Sequence, residues 1–475
     1  MSNVLRNLPT VNELLESPPL KSLVRQVNQS VVTSGVRSFL ERLRTDVQNA
    51  SGMNVPSPNE LAERIAKWIA SGGHRALRPA VNATGSLIHP ALGGPPLADE
   101  ALQAIAMLGG NYASTMGPAT STKRGRNSSV ERLLAQLSGA EAALVVNSGA
   151  SANLLAIAAL AGCREVIAPR QELIDTGDGY RVVDAVAAAG AMLREVGAAN
   201  RCTLDDFGGA ITGQTAVILR VHPSNFQQLG DVQSIALPEL SQFARRMNLA
   251  LVYEAGAATL VDFNRYGVIG EPVVADLVTA GADVVLFCAD KLVGGPPCGI
   301  LVGRKAILDR LAEHPLARAL EADKLTLSGL HATLELYQSL EMAERSIPLL
   351  TLLSTPLENL KHRAERLAPQ LQATSAVAGA SAVEDETYVA GAELPRHRLV
   401  TWCVAVTPAE GSVEQLATRL EAGTPSIVGR LGRGRLLIDL RSVRPRHDQE
   451  IVTAFQLLSQ SAGVPSEMAP EQPAK

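Results

Sequence analysis

The stretch CADKLVGGPPCG at residues 288–299 sets Lys291 just past an apolar run and ahead of Gly294, Gly295 and Pro296. A lysine held where strand ends open onto a crevice is partly desolvated, loses its charge more readily and can form an imine with an aldehyde. Neighbouring glycines let a flat ring come close to the backbone. Glu254, 37 residues upstream, closes the run LALVYE. A carboxylate at that place can pair with a protonated pyridine nitrogen and turn the ring into an electron sink. Earlier still, VVNSGASANLLAI (145–157) passes from a strand through Ser148, Gly149 and Ala150 into a helix, whose bare N–H groups can hold a phosphate. Each feature also has a plain structural reading: a surface lysine beside a turn, an acid at a strand end, a tight strand–helix loop. Their order along the chain is phosphate cup, carboxylate, then lysine. That is the order expected of a pyridoxal 5′-phosphate (PLP) enzyme of fold type I, with the cofactor held on Lys291 as a Schiff base.

The elements that must position these groups are legible as alternating patterns. Short apolar runs at 143–147, 165–169, 215–222, 249–254 and 283–287 alternate with helix-like segments at 151–161, 181–189, 238–247 and 271–280. This predicts a large α/β domain over residues 80–325, with a mostly parallel sheet and helices on both faces. Residues 324–345 read as one long helix leaving that domain. Strand-like runs at 399–406 and 435–441, with a helix at 413–420 between them, predict a smaller α+β domain over 326–461. Ahead of the large domain, Leu20, Val24 and Val27, then Val36, Leu40 and Leu43, recur at helical spacing. They predict a helical N-terminal domain over 1–75, with joints rich in Gly, Pro and small polar residues at 50–58 and 71–80. Residues 462–475 are polar and Pro-containing and predict a disordered tail.

Bulk properties narrow the classes. The 475 residues suffice for two or three domains, and an aromatic content of 3% disfavours an all-β chain. A net charge of −4 excludes an overall basic nucleic-acid binder. The charge is uneven, however: residues 1–78 carry ten Lys and Arg against six Asp and Glu, leaving 33 against 41 for the remainder. A basic end on an acidic body suits a polyanion-binding arm, and equally suits ordinary scatter of surface charge. The five cysteines form neither a CxxC pair nor a zinc spacing, so reduced thiols, a cytoplasmic home and no metal site are expected. Neither a signal peptide nor a membrane span is expected, since no long apolar run occurs.

Longer stretches carry a resemblance. LRNLPTVNELLESPPL (5–20), LRPAVNATGSLIHPALG (77–93), VERLLAQLSGAEAALVVN (130–147), GADVVLFCADKLVGGPPCGILVGRK (281–305), HPLARALEADKLTL (314–327) and GTPSIVGRLGRGRLLIDLRSV (423–443) occur in that order. By them the chain resembles bacterial selenocysteine synthase, the L-seryl-tRNA(Sec) selenium transferase family, over almost its whole length. The resemblance implies an aminotransferase-like fold type I core, a PLP Schiff base on Lys291, and an N-terminal domain that grips seryl-tRNA(Sec). It also implies a homo-oligomer, compatible with a ring of dimers, with sites shared between subunits. The implied reaction removes the α-proton and hydroxyl of the tRNA-bound serine to give an aminoacrylyl intermediate, to which selenide from selenophosphate adds. Arg181, His222 and Ser224 lie in segments resembling the family's cofactor-side loops. Cys288 stands where the family carries a serine that helps hold the phosphate. Arg318, Lys123, Arg124 and Arg126 are the implied substrate-binding cations.

Departures from the family pattern cluster around the same site. HTNLGR becomes His89-Pro90-Ala91-Leu92-Gly93-Gly94, with Gly94 in place of the arginine. RALRVDK becomes Arg318-Ala319-Leu320-Glu321-Ala322-Asp323-Lys324, with Glu321 in place of the second arginine. Guanidinium forks match phosphate-like oxygens, and a carboxylate reverses the local charge. The aspartate of EDLGSGS is replaced by Glu254, one methylene longer. Three readings follow. The first is the selenium transferase, the second a diverged PLP lyase or transferase acting on a small amino acid without selenium, and the third a non-catalytic paralogue that binds tRNA or a partner.

Overall fold

The computed structural model describes residues 8–26, 28–49, 57–70, 77–112, 128–175, 179–390 and 397–462. The expected tail after 462 and most of both expected joints lie outside this set. The chain divides into two compact units, Met1–Ala80 and Val81–Lys475.

The first unit is helical, as its apolar spacing predicts. Its helices are Val11–Leu15, Pro18–Gln26, Gln29–Asn49 and Pro58–Ala70. A capping box starts the first: Thr10 Oγ1 accepts from the Glu13 N–H at 3.3 Å, and Glu13 Oε2 accepts from the Thr10 N–H at 2.7 Å. Leu14, Leu20, Val36, Leu40, Leu61, Ile65 and Ile69 form its core. Each such side chain contributes roughly 1.5–3 kcal/mol on burial. Arg25, Arg37, Arg44 and Lys67 are exposed on the outside.

Twelve described strands, β1 to β12, build the second unit in two sheets. The larger holds β2 (Ala142–Val146), β3 (Glu165–Pro169), β4 (Met192–Val196), β5 (Thr215–Val221), β6 (Ala250–Glu254), β7 (Val284–Cys288) and β8 (Gly299–Gly303). Their order is β2-β8-β7-β6-β5-β3-β4. Neighbours from β7 through β4 run parallel, and β8 runs antiparallel to both β2 and β7. The short link from β7 to β8 explains the reversal, because a parallel return needs a crossover of a dozen residues or more. The helix Gly149–Ala161 is apolar nearly all round, with Ala152, Leu155, Ala156, Ile157 and Leu160 buried, as suits a helix enclosed by other elements.

The smaller sheet holds β1 (Ala80–Ala83), β9 (Val377–Tyr388), β10 (Arg398–Pro408), β11 (Ser426–Gly432) and β12 (Arg435–Asp439), in the order β1-β11-β12-β10-β9. β1 opens the segment expected to form the large domain, yet it pairs into this second sheet. Ser442 fixes it there, donating to Asn82 O and accepting from the Gly85 N–H, each at 2.9 Å. The expected long helix at 324–345 is two helices, Lys324–Leu336 and Leu340–Ser346, the second capped by Ser339. Before that break the Tyr337 hydroxyl donates to Val293 O at 2.8 Å and ties the helix to the turn after Lys291. Among the described residues no helix is long and apolar enough to cross a membrane.

Candidate active site

Sheet register gathers the candidate residues at one edge. Val146 of β2 pairs with Gly299, and Gly299 pairs with Cys288 of β7. Glu254 of β6 pairs with Leu286 on one side and with Val221 of β5 on the other. Ser148, Lys291, Glu254 and His222 therefore all leave strand ends at the same rim of the sheet, where ligands bind in open α/β folds.

Lys291 lies in the turn after β7. That turn is closed by the Gly294 N–H donating to Lys291 O at 3.1 Å and the Gly295 N–H donating to Ala289 O at 2.8 Å. Leu292 and Val293 are buried and anchor it, while Lys291 is half-buried. Gly294 has φ +68° and packs against Ile347, so a side chain there is both strained and obstructed.

The phosphate cup is the N-terminus of the helix Gly149–Ala161. Ser148 caps it, its Oγ accepting from the Ser151 N–H at 3.1 Å. The Ser148 hydroxyl thus serves the helix, and the first-turn N–H groups of Gly149 and Ala150 are the donors that a phosphate would take up. A Cβ on Gly149 would overlap Cys288 Sγ, and a Cβ on Gly299 would overlap the Ser148 carbonyl oxygen. Two glycines therefore open this cradle and bring the Cys288 thiol to its floor. Gly149→Ala is expected to weaken PLP binding about tenfold, an overpacking cost of about 1–2 kcal/mol. Adding Cys288→Ala should recover most of it, and equilibrium dialysis of the single and double variants checks both.

Glu254 is half-buried at the end of β6. Burial pushes its carboxyl up to about 7, against the pull of the Gly256 N–H, which donates to Oε1 at 3.0 Å, and of the Asn153 amide. Among the described residues it has no cationic partner. A desolvated acid in that state fits a protonated pyridine nitrogen, which would supply the missing charge. The residues present therefore fit PLP: a helix N-terminus opened by glycine, a desolvated carboxyl, and a lysine on the turn beside them.

Other residues divide. His222 follows β5, its N–H donating to Glu254 O at 2.8 Å, and the Ser224 N–H donates back to His222 O at 2.8 Å. Arg181 does not join the cluster: its guanidinium pairs with Asp184 on the exposed face, at 2.8 Å. Tyr180, one residue earlier, does join it, since burial and the charges of Glu254 and Cys288 raise its phenol. Arg318 is exposed and ion-paired with Glu321, in a cleft of about 530 Å³ along the free edge of β2. Gly94, also at φ +81°, lies against the carbonyl of Asp290, the neighbour of Lys291. Lys123, Arg124 and Arg126 lie outside the described residues. Sequence reasoning missed Tyr180, Asn153, Glu271 and His397. Tyr180 alone left a signal, as one of six tyrosines, adjacent to a residue already singled out.

Comparison with known proteins bears on this site. Residues 80–444 match the family described as L-seryl-tRNA selenium transferase, and residues 5–44 match that described as selenocysteine synthase N terminal. The chain is 37% identical over 461 residues to L-seryl-tRNA(Sec) selenium transferase of Hyphomonas neptunium, covering 96% of this chain and 99% of that one. It is 37% identical over 460 residues to that of Geobacter sulfurreducens, with the same coverage. Among solved structures it shares its fold with D-glucosaminate-6-phosphate ammonia-lyase, at TM-score 0.57 and 21% identity, covering 83% of this chain and 98% of the other.

Proposed function

This chain belongs to the L-seryl-tRNA selenium transferase family, and from that we infer that it is a PLP-dependent transferase converting seryl-tRNA(Sec) to selenocysteinyl-tRNA(Sec). Its body is a fold type I α/β domain with a smaller α+β sheet, and its N-terminal unit belongs to the family's N-terminal type. The observation that carries the residue assignment is the convergence of Lys291, half-buried Glu254 and the Gly149 helix terminus on one sheet rim.

Bound PLP supplies an electron sink for the bonds broken at the serine carbons. The protein's own part is positional. Lys291 would hold the cofactor and move the proton at the serine α-carbon. Glu254, charged, holds a proton on the ring nitrogen. Gly149 and Ala150 fix the phosphate, with Cys288 beside them. His222 and Ser224, at the neighbouring strand end, would line the same site. The selenium donor is selenophosphate, the chain works in the cytoplasm, and copies assemble into a homo-oligomer with shared sites; the family relationship supports these three points. The test is incubation of PLP-loaded protein with seryl-tRNA(Sec) and radiolabelled selenophosphate. Label in the tRNA ester supports the reading; unlabelled tRNA, from protein that binds it, refutes the donor.

The Arg318–Glu321 ion pair, with Gly94 where the family pattern resembled by the sequence implies arginine, favours a second reading in which the same site eliminates from a small amino acid without an anionic selenium donor. Ammonia release from free serine, in the absence of tRNA, distinguishes it.

The N-terminal unit should bind tRNA through its exposed cations. If Arg25, Arg37, Arg44 and Lys67 each meet a phosphate, log K falls with log salt at a slope of about −3 to −4. Replacing Arg37, Arg44 and Lys67 by Gln in the full chain should flatten that slope by about 2–3, measured by filter binding.

A further inference from the structure

Behind His222 lies a buried polar group that the reaction outlined above does not use. Glu271 precedes the helix Val274–Thr279, and its side chain is fully buried. Its Oε1 lies 2.8 Å from His397 Nε2, and its Oε2 lies 3.5 Å from His222 Nε2. His397 sits just ahead of β10, its side chain 4% exposed, and its carbonyl accepts from the Val389 N–H at 3.1 Å. One carboxylate thus faces two imidazoles drawn from segments 175 residues apart in the chain, 222 and 397.

A carboxyl buried without partners costs several kcal/mol, so the two imidazoles are what hold Glu271 in place. The shorter contact makes His397 the partner that fixes the carboxyl, leaving its other oxygen toward His222. His222 thereby keeps its Nε2 turned to Glu271, and the tautomer of an imidazole is set by the bond its other nitrogen makes. We propose that Glu271 and His397 are positioning residues: together they orient His222 and set the charge behind it where it borders the cofactor. This rests on the PLP reading of the site. On the strands beside His222 the other titratable groups are Tyr253 and Glu254 of β6, in register with Arg220 and Val221 of β5, and Arg220 itself, ion-paired with Glu172; Asp290 and Lys291 follow the end of β7.

Removing Glu271 takes a carboxyl from behind His222, whereas removing His397 leaves that carboxyl to His222 alone, so the two changes have opposite electrostatic consequences. In Glu271→Gln, loss of a negative charge should lower the pH midpoint of the cofactor's visible absorbance band; in His397→Gln, a carboxyl no longer shared with a second imidazole should raise it. Each shift should be about half a pH unit or more, for charges one imidazole away from the ring. A role in folding alone predicts no such opposition. The experiment is a spectrophotometric pH titration of PLP-loaded wild type, Glu271→Gln and His397→Gln, with His397→Asn used where His397→Gln does not fold. Opposite shifts support the inference. Shifts of one sign, or unmoved midpoints, overturn it while leaving the cofactor reading intact. A wild type with no band that borohydride fixes on Lys291 overturns the cofactor reading and this inference with it.

Discussion

Lys291→Ala protein is expected to show no visible cofactor band that borohydride can fix, and to convert seryl-tRNA about 10⁴-fold more slowly than wild type. Two losses combine in that figure: the covalent link to the cofactor and the group that moves the α-proton, the latter alone worth roughly 10²–10⁴. The turn itself should survive, because its anchors are Leu292, Val293 and the Tyr337 bond to Val293 O, none of which involves the lysine side chain. A surface control, Lys361→Ala, should leave both readouts unchanged. Absorbance before and after borohydride, together with single-turnover conversion, checks the expectation. Cofactor retention and turnover at wild-type levels in Lys291→Ala would remove the chemical basis of the assignment.

Glu254→Gln should lower turnover by roughly 10²–10³, the scale on which one preorganised electrostatic partner acts. Glutamine keeps the shape and the hydrogen bonds but cannot hold a proton on the ring nitrogen. The same change should alter the pH dependence of the cofactor-free protein. The Glu254 carboxyl titrates near 7 in the fold against an ordinary value of 4.5. Its protonated form is the one the fold favours, so its contribution is fully present below pH 4.5 and is lost as the pH rises through 7. Over that span the wild type should lose about 3 kcal/mol relative to the glutamine variant. Denaturant melts of both apo proteins between pH 4.5 and 8 measure this. Parallel pH profiles would show that Glu254 is already charged without the cofactor.

Much of this architecture could be read from residue patterns, and the misses have local causes. β3, β5, β6 and β7 lie where the apolar runs fall, because strands buried on both faces read as continuous hydrophobic stretches. β4 escaped notice since it closes the sheet at its edge and alternates polar residues, as in MLREV. β8 was hidden by its closeness to β7, which left no room for the crossover a parallel sheet leads one to expect. β1 carries too few residues to signal that it belongs to the other sheet. At the site, Lys291, Glu254 and the Gly149 turn were legible because each is attached to a strand end. Glu271 and His397 were not, because a shared carboxylate between distant segments is created only by tertiary folding. Arg181 was read one residue too late: the guanidinium turns outward to Asp184 while the preceding Tyr180 turns in.

The contact between the Cys288 thiol and the glycine opening the cup has a practical consequence. A phosphate seated there would shield the sulfur from alkylating reagents, whereas Cys163 is exposed on the surface far along the chain. The ratio of iodoacetamide tagging at the two cysteines, read by peptide mass spectrometry, should fall as PLP is titrated in. The protein would then report its own cofactor occupancy through two of its thiols, without any assay of turnover.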